Sequence, residues 1–544
     1  MLKKVEVKQQ NKKITAAELP QLRIADAAFP APFRSGLEYS SPARGTWNIV
    51  HTGMLIPEAH EIYVCAAGCL RGVVLTAAEM GAQDRFSTVA VREHNLLDGD
   101  MEELVIEGAS DIIKKLPKRP PAVLVYTSCV HHFTGVDLDM IYRELRERWP
   151  DIDFADCYMN PVMRKSGLTP DQLMRSRLYM PLHERPKDTN AVAIIGSDLP
   201  TDEESDLMQM LKSAGLKVHE ITSCRTYAEY QEMAESTVYI SYYPDAARGG
   251  DMLAERLWGA HYALKFSFDY DEIDETFGGL AELLEEKTAA CRSLCEGADI
   301  AGSSGPQAGG SGNAFGPQAA RPLSPEWRSA KRKECEEELR LTKELVGSTA
   351  IAIDYTFCPR PLGLARLLLD RGFNVTKVYV DSIPAGDKAA FEYLQREYPD
   401  LTLLPTVHAA MRFAASANMN SSTGGITDSS TKHVNAACGN KQDVKEKTFD
   451  PATVDMTTDE VRSSAIEKTE GVVGTEDIRV LAVGQKAAYF ENTDHFINVV
   501  EGGGMIGYEA VIRTARLMRE AFLNKQEMRE LVQVKGLGCE ICIR

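Results

Sequence analysis

No run of apolar residues in this sequence approaches the roughly 18 needed to cross a bilayer, which excludes a helical membrane span. The charged opening MLKKVEVKQQNKK leads into no apolar stretch, so no export signal is read there and a cytoplasmic location is expected. Cations are too few for a nucleic-acid partner: 61 Lys and Arg stand against 79 Asp and Glu, a net charge of −18. Phosphate backbones are held by clustered Lys and Arg. There is no GxxxxGKS or GxxxxGKT phosphate loop, so the chain is not expected to bind ATP that way. Gly502-Gly503-Gly504 lacks the GxGxxG spacing after a strand, which excludes a dinucleotide site of that type.

What is present is length and alternation. At 544 residues the chain exceeds what one core can serve. From about residue 46 short apolar runs alternate with helical patterns (EIYVC then LRGVVLTAAEMGA, STVAV then MEELVIEGASDIIKKL, AVLVYTSC then LDMIYRELRERW), the signature of parallel sheets with right-handed crossovers. The expected class is α/β, with three doubly wound, Rossmann-like domains and flexible insertions. Residues 1–45, polar and dotted with proline, read as an extended arm. The domains span 46–188, 189–297 and 323–534. A Gly/Ser/Pro-rich linker, 298–322, separates the last two, and a polar stretch, 416–476, interrupts the third. A CxxC tail, 535–544, ends the sequence.

Twelve cysteines in a chain expected in the cytoplasm read as free thiols, metal ligands or redox groups, because structural disulfides are rare there. Three of them organise the first domain. Cys65 and Cys69 lie in EIYVCAAGCLRG (61–72), and Cys129 lies in AVLVYTSCVHHFTG (122–135). Each segment is an apolar run followed at once by a helical pattern. Ligands of open α/β sheets gather outside the carboxyl ends of strands, so these thiols are expected to converge on one crevice as a metal site. The bland alternative is burial as small hydrophobes, and a thiolate-rich set also accepts zinc.

With three α/β domains and cysteines at strand ends, the chain resembles the component 1 superfamily of nitrogenases and nitrogenase-like reductases. Gly68-Cys69, after a strand and before a helix, looks like the family's Gly-Cys cluster ligand. Ser128-Cys129, with Gly135 and Asp137, looks like its later ligand. The loop 496–508, ending Gly507-Tyr508, is similar to one that borders the family's active-site cavity. The likeness covers roughly residues 45–290 and 345–525. It departs in places: the family's additional upstream cysteine is missing from YSSPARGTW, and Cys65 is the substitute. Where the catalytic subunit has a cofactor cysteine this chain has Ser241 and Tyr242, and His495 is displaced from the cofactor histidine.

The resemblance implies an iron–sulfur oxidoreductase component related to nitrogenase rather than nitrogenase itself. A 4Fe–4S cluster wants four thiolates. Cys65, Cys69 and Cys129, with Gly68 beside them, supply three, leaving the fourth to a partner subunit, His51, His60 or an acidic residue. The implied partners are a homologous component 1 subunit, in a hetero- or homo-oligomer, and an ATP-dependent iron–sulfur reductase that donates low-potential electrons. The alternative function is a scaffold on which a metallocluster is assembled and passed on. Outside this set, Cys539 and Cys542 read as a cluster half-site, a thiol pair or an unused tail. Cys358 reads as strand-turn packing ahead of a ligand, Arg360 and Arg248 as salt-bridged ahead of substrate-binding. Cys291 and Cys295 read as free thiols, and His131 and His132 as structural.

Overall fold

The computed structural model describes residues 19–33, 48–159, 168–298, 323–406, 480–529 and 531. Fourteen strands form three sheets among these residues. The first strand, β1 (Leu22–Arg23), belongs to the arm, and it pairs antiparallel with a strand of the third sheet. The arm is therefore an edge strand of a distant domain as well as an extended lead. Its Ile24 is fully buried, which anchors it.

The first sheet contains β2 (His60–Ala66), β3 (Phe86–Val91), β4 (Ala122–Ser128) and β5 (Asp153–Met159), all parallel, in the order β3-β2-β4-β5. β4 is apolar along nearly its whole length because both faces are covered; every one of its residues is buried. The covering helix Met101–Lys115 buries Met101, Val105, Ile106, Ala109 and Ile113, a stripe at helical spacing. In the helix Leu138–Arg148, Asp137 caps the start by accepting from the Met140 N–H at 2.9 Å.

The second sheet has β6 (Asp188–Ile194), β7 (Lys217–Glu220), β8 (Ser236–Ser241) and β9 (Ala260–Ala263), again all parallel, in the order β7-β6-β8-β9. The third has β10 (Ala350–Asp354), β11 (Val375–Tyr379), β12 (Thr402–Leu404), β13 (Val480–Val483) and β14 (Phe496–Ile497), in the order β1-β12-β11-β10-β13-β14. It is parallel except where β1 meets β12. The α/β, parallel-sheet class expected from the alternation is what the chain adopts.

HFINVV (495–500) is apolar enough for a full strand, yet only Phe496–Ile497 pairs. The residues beyond turn away because their backbone donors go elsewhere: Glu501 N–H to the Thr356 carbonyl at 2.9 Å and Gly502 N–H to Phe357 at 2.6 Å. The cores run together. One cluster joins Ile194, Tyr242 and Phe266 of the second unit to Ile351, Met505 and Tyr508 of the third. Another joins Tyr63 and Cys65 to Ala193 and Tyr239. No helix among the described residues is long and apolar enough to cross a membrane. The stretches 298–322 and 416–476 lie outside the described residues, apart from Ala298 at a helix end.

Candidate metal centre

β2 and β4 are neighbours, and Val64 stands opposite Thr127. Cys65 is one step beyond that level and Cys129 two, so both come off the same carboxyl edge. Cys65 is the penultimate residue of β2, fully buried, on the face it shares with Tyr63, Val73 and Ala77. Cys69 follows on the first turn of the helix Ala67–Glu79 and is exposed. Cys129 opens the short helix Cys129–Phe133 and is half-exposed. The start of a helix presents N–H groups and the positive end of its dipole, which favours a thiolate.

The three thiols feel one another. Burial pushes the Cys65 thiol up to about 12, and the neighbouring Cys69 and Cys129 raise it further. Cys69 is raised by burial first and then by Cys129. All three lie at or just beyond the carboxyl ends of the paired strands β2 and β4. Among the described residues, however, no three His, Cys, Asp or Glu side chains close on one point as a metal-holding group. A set of thiols is chemistry that a metal takes up as the thiols lose their protons. Gly68 borders open space, because a Cβ there meets nothing within 4 Å.

The histidines expected as fourth-ligand candidates do not join them. His60 begins β2, five residues from Cys65 and so about 16 Å away along an extended strand. Its Nε2 is 2.8 Å from Ser87 Oγ, and burial, with Arg85 nearby, lowers its pKa to about 4. His51 sits on the helix Ile49–Met54. His131 is structural, as expected: its Nδ1 accepts from the Ser128 N–H at 3.2 Å and caps the helix.

Other candidates resolve into packing. Cys358 is fully buried in the shared core, and burial raises its pKa. Arg360 pairs with Glu272 at 2.6 Å and Asp387 at 3.2 Å, and it donates to the Phe266 carbonyl, so no donor fork is left for a substrate. Arg248 is exposed, 3.8 Å from Asp251. Ser241 Oγ lies 2.8 Å from His261 Nε2, and His495 Nδ1 bonds the Ala521 carbonyl at 3.0 Å, turned into the helix Tyr508–Leu523. Cys539 and Cys542, like the Cys291 and Cys295 side chains, lie outside the described residues.

The loop 502–507 docks on the second domain: the Asp202 N–H donates to Gly504 O at 3.0 Å and the Asp206 N–H to Ile506 O at 3.2 Å. What the sequence did not reveal is the ion cluster beside it, where Arg175 and Asp171, beyond β5, meet Asp198, beyond β6, and Glu501, beyond β14. No spacing signal marks residues that meet only through tertiary structure.

The family's sequence model, nitrogenase component 1 type oxidoreductase, matches residues 50–521. The chain belongs to that family. Among solved structures it is similar to nitrogenase Cp1 at pH 6.5, with a TM-score of 0.54 and 10% identity over 92% of this chain and 95% of that one. Nitrogenase Cp1 at pH 5 aligns at a TM-score of 0.43 and 13% identity, over 71% of this chain and 80% of that one. Against curated protein sequences the chain has no match. At such identities the structural likeness speaks for the fold alone, and the family membership makes the chain oxidoreductase-type.

Proposed function

We propose that the chain is a subunit of a nitrogenase-like oxidoreductase, binding a 4Fe–4S cluster through Cys65, Cys69 and Cys129 and taking the fourth ligand from a partner subunit. The observation that supports this reading is that the three cysteines lie at or just beyond one carboxyl edge, two of them in the first turn of a helix. Exposed apolar side chains support a covering partner. Leu96 and Leu97 follow β3, Phe133 follows β4, and Val74 and Leu75 follow β2, so all leave neighbouring strand ends, and Leu97 is 86% exposed.

The cluster supplies one-electron transfer when bound. The chain supplies the rest: Cys65 from beneath, Cys69 and Cys129 from two helix starts, and the apolar surface that excludes water once covered. Electrons come from an ATP-dependent iron–sulfur reductase, since this chain has no phosphate loop of its own. The location is the cytoplasm.

A second reading, a scaffold for metallocluster assembly, is favoured by one particular. Ser241 and His495 are both turned to internal partners, so the positions that resemble cofactor ligands in catalytic relatives hold the fold together here. Iron and sulfide analysis with low-temperature EPR tests the cluster, on anaerobically purified protein with and without Cys69→Ala plus Cys129→Ala. About four irons per site and a reducible signal, both lost in the variant, are expected. Iron-free, folded wild-type protein after reconstitution with its partner refutes it. Reduction of a small molecule with reductase, ATP and reductant separates an enzyme from a scaffold, which transfers iron to an acceptor without turnover.

A further inference from the structure

The carboxyl edges of the second and third sheets face a junction that is filled from the first domain. Arg175, on the helix Pro170–Arg177, is fully buried there. All five of its N–H groups have acceptors: Asp171 at 2.8 Å, the Gly196 carbonyl at 2.5 Å, the two oxygens of Asp198 at 2.8 and 3.2 Å, and Glu501 Oε1 at 3.5 Å. The Tyr243 ring stacks on the guanidinium at 4.1 Å. Asp198 follows β6 of the second sheet, and Glu501 follows β14 of the third. One side chain thus ties three domains.

The charges do not balance. Three carboxylates touch one guanidinium, and Asp245 lies close enough to raise both Asp171 and Glu501. Fully ionised, the buried group is strongly anionic, which a low-dielectric interior does not tolerate without a proton. Glu501 is the least compensated of the carboxylates. Its Oε2 is buried without any partner, its side chain is 3% exposed, and its backbone is held at φ 53°.

We propose that Arg175, Asp171, Asp198 and Glu501 form a proton-held latch across the three domains, closed while the cluster retains its extra proton and released when that proton leaves. Release frees Glu501 and the glycine loop it begins, and opens the crevice between the second and third sheets.

The groups facing Glu501 are Arg175 and Asp171 on the helix, Asp198 beyond β6, and Tyr242, Tyr243 and Asp245 beyond β8. Burial, relieved in part by Arg175, brings Asp171 to about 7 and holds Glu501 well above the ordinary carboxyl range. A carboxyl raised in the closed form stabilises that form fully at acid pH. The stabilisation is lost as pH climbs from the ordinary carboxyl range through the raised value. The latch therefore loosens as pH rises from the ordinary carboxyl range, through about 7 for Asp171 and onward through the raised value of Glu501.

Hydrogen–deuterium exchange of the full chain between pH 5 and 8, corrected for intrinsic exchange, reads the opening in segment 499–507, with β4 as internal reference. Expected is a loss of protection in that segment, relative to β4, of up to about tenfold per pH unit per group released as pH rises across this range. Flattening of that slope in Glu501→Gln or Asp171→Asn, both close to isosteric, supports the latch. A wild-type slope no steeper than that of β4, or the same slope in both variants, overturns it.

Discussion

Gly68 separates what the chain needs from what its ligand needs. It is the second residue of the helix Ala67–Glu79, and a Cβ built on it meets nothing within 4 Å. Nothing in the chain itself therefore requires glycine. Glycine inside a helix costs about 0.5–1 kcal/mol relative to alanine, so Gly68→Ala should leave stability unchanged or raise it, by at most about 1 kcal/mol. In a thermal scan that is an upward shift of no more than about 2–4 °C for a domain of this size. If the open space beside Cys69 belongs to a cluster and the partner that covers it, the same methyl intrudes where they pack. The expected result is a protein at least as stable as wild type that retains less iron and less partner. The assay pairs the scan with iron analysis and with sedimentation of the complex. Full iron and full assembly in Gly68→Ala would refute the claim that this space is occupied. A fall in stability would refute the structural account of the glycine.

Gly507 should behave in the opposite way. It sits at φ 87° and ψ −149°, a region almost restricted to glycine, and a Cβ would lie 2.4 Å from Asp206 Oδ2. Backbone strain of about 1–3 kcal/mol adds to displacement of a buried carboxylate that faces Lys331 at 3.5 Å. Gly507→Ala is expected to lose roughly 3 kcal/mol or more in denaturant unfolding, and a loss below about 1 kcal/mol would contradict the docking of this loop. His60 should stay neutral far below the usual histidine range, since burial lowers it to about 4. A depressed pKa stabilises the fold above the ordinary value and loses that contribution as pH falls from about 6.5 through 4. An NMR titration of His60 centred near 6.5 would show that the strand edge is wet.

The alternation of apolar runs and helical patterns was enough to read the parallel sheets, because β4 and β8 are covered on both faces and must be apolar throughout. The strand-end positions of Cys65 and Cys129 were legible because the end of an apolar run is a local property of the sequence. The edge strand Leu22–Arg23 was not legible. Two residues give no period, and its partner lies far along the chain at β12. His60 was misjudged for a related reason: sequence nearness to Cys65 along a strand is distance, not contact. Arg360 is salt-bridged, as its reading favoured, but its acceptors, Glu272 and Asp387, arrive from other elements and could not be named from the sequence. The Arg175 cluster was invisible for the same cause on a larger scale, since it exists only once three domains are assembled.

A ligand shared with a partner differs thermodynamically from an internal one. Cys69 is exposed, and Leu97 and Phe133, which follow the neighbouring strands β3 and β4, are 86% and 78% exposed. An accessible thiol on an apolar surface is prone to oxidation and association unless covered. If a partner covers it and also supplies the fourth thiolate, metal binding and assembly are linked: each strengthens the other by the same free energy. Iron retention must then depend on protein concentration. Diluting the loaded assembly through its dissociation range at fixed chelator should release iron in step with the appearance of free subunits. Excess partner should restore both. Were all four ligands within this chain, iron loss would follow the chelator alone and ignore dilution. Sedimentation read together with iron absorbance gives the two curves in one experiment, and curves that do not coincide would rule out the shared ligand.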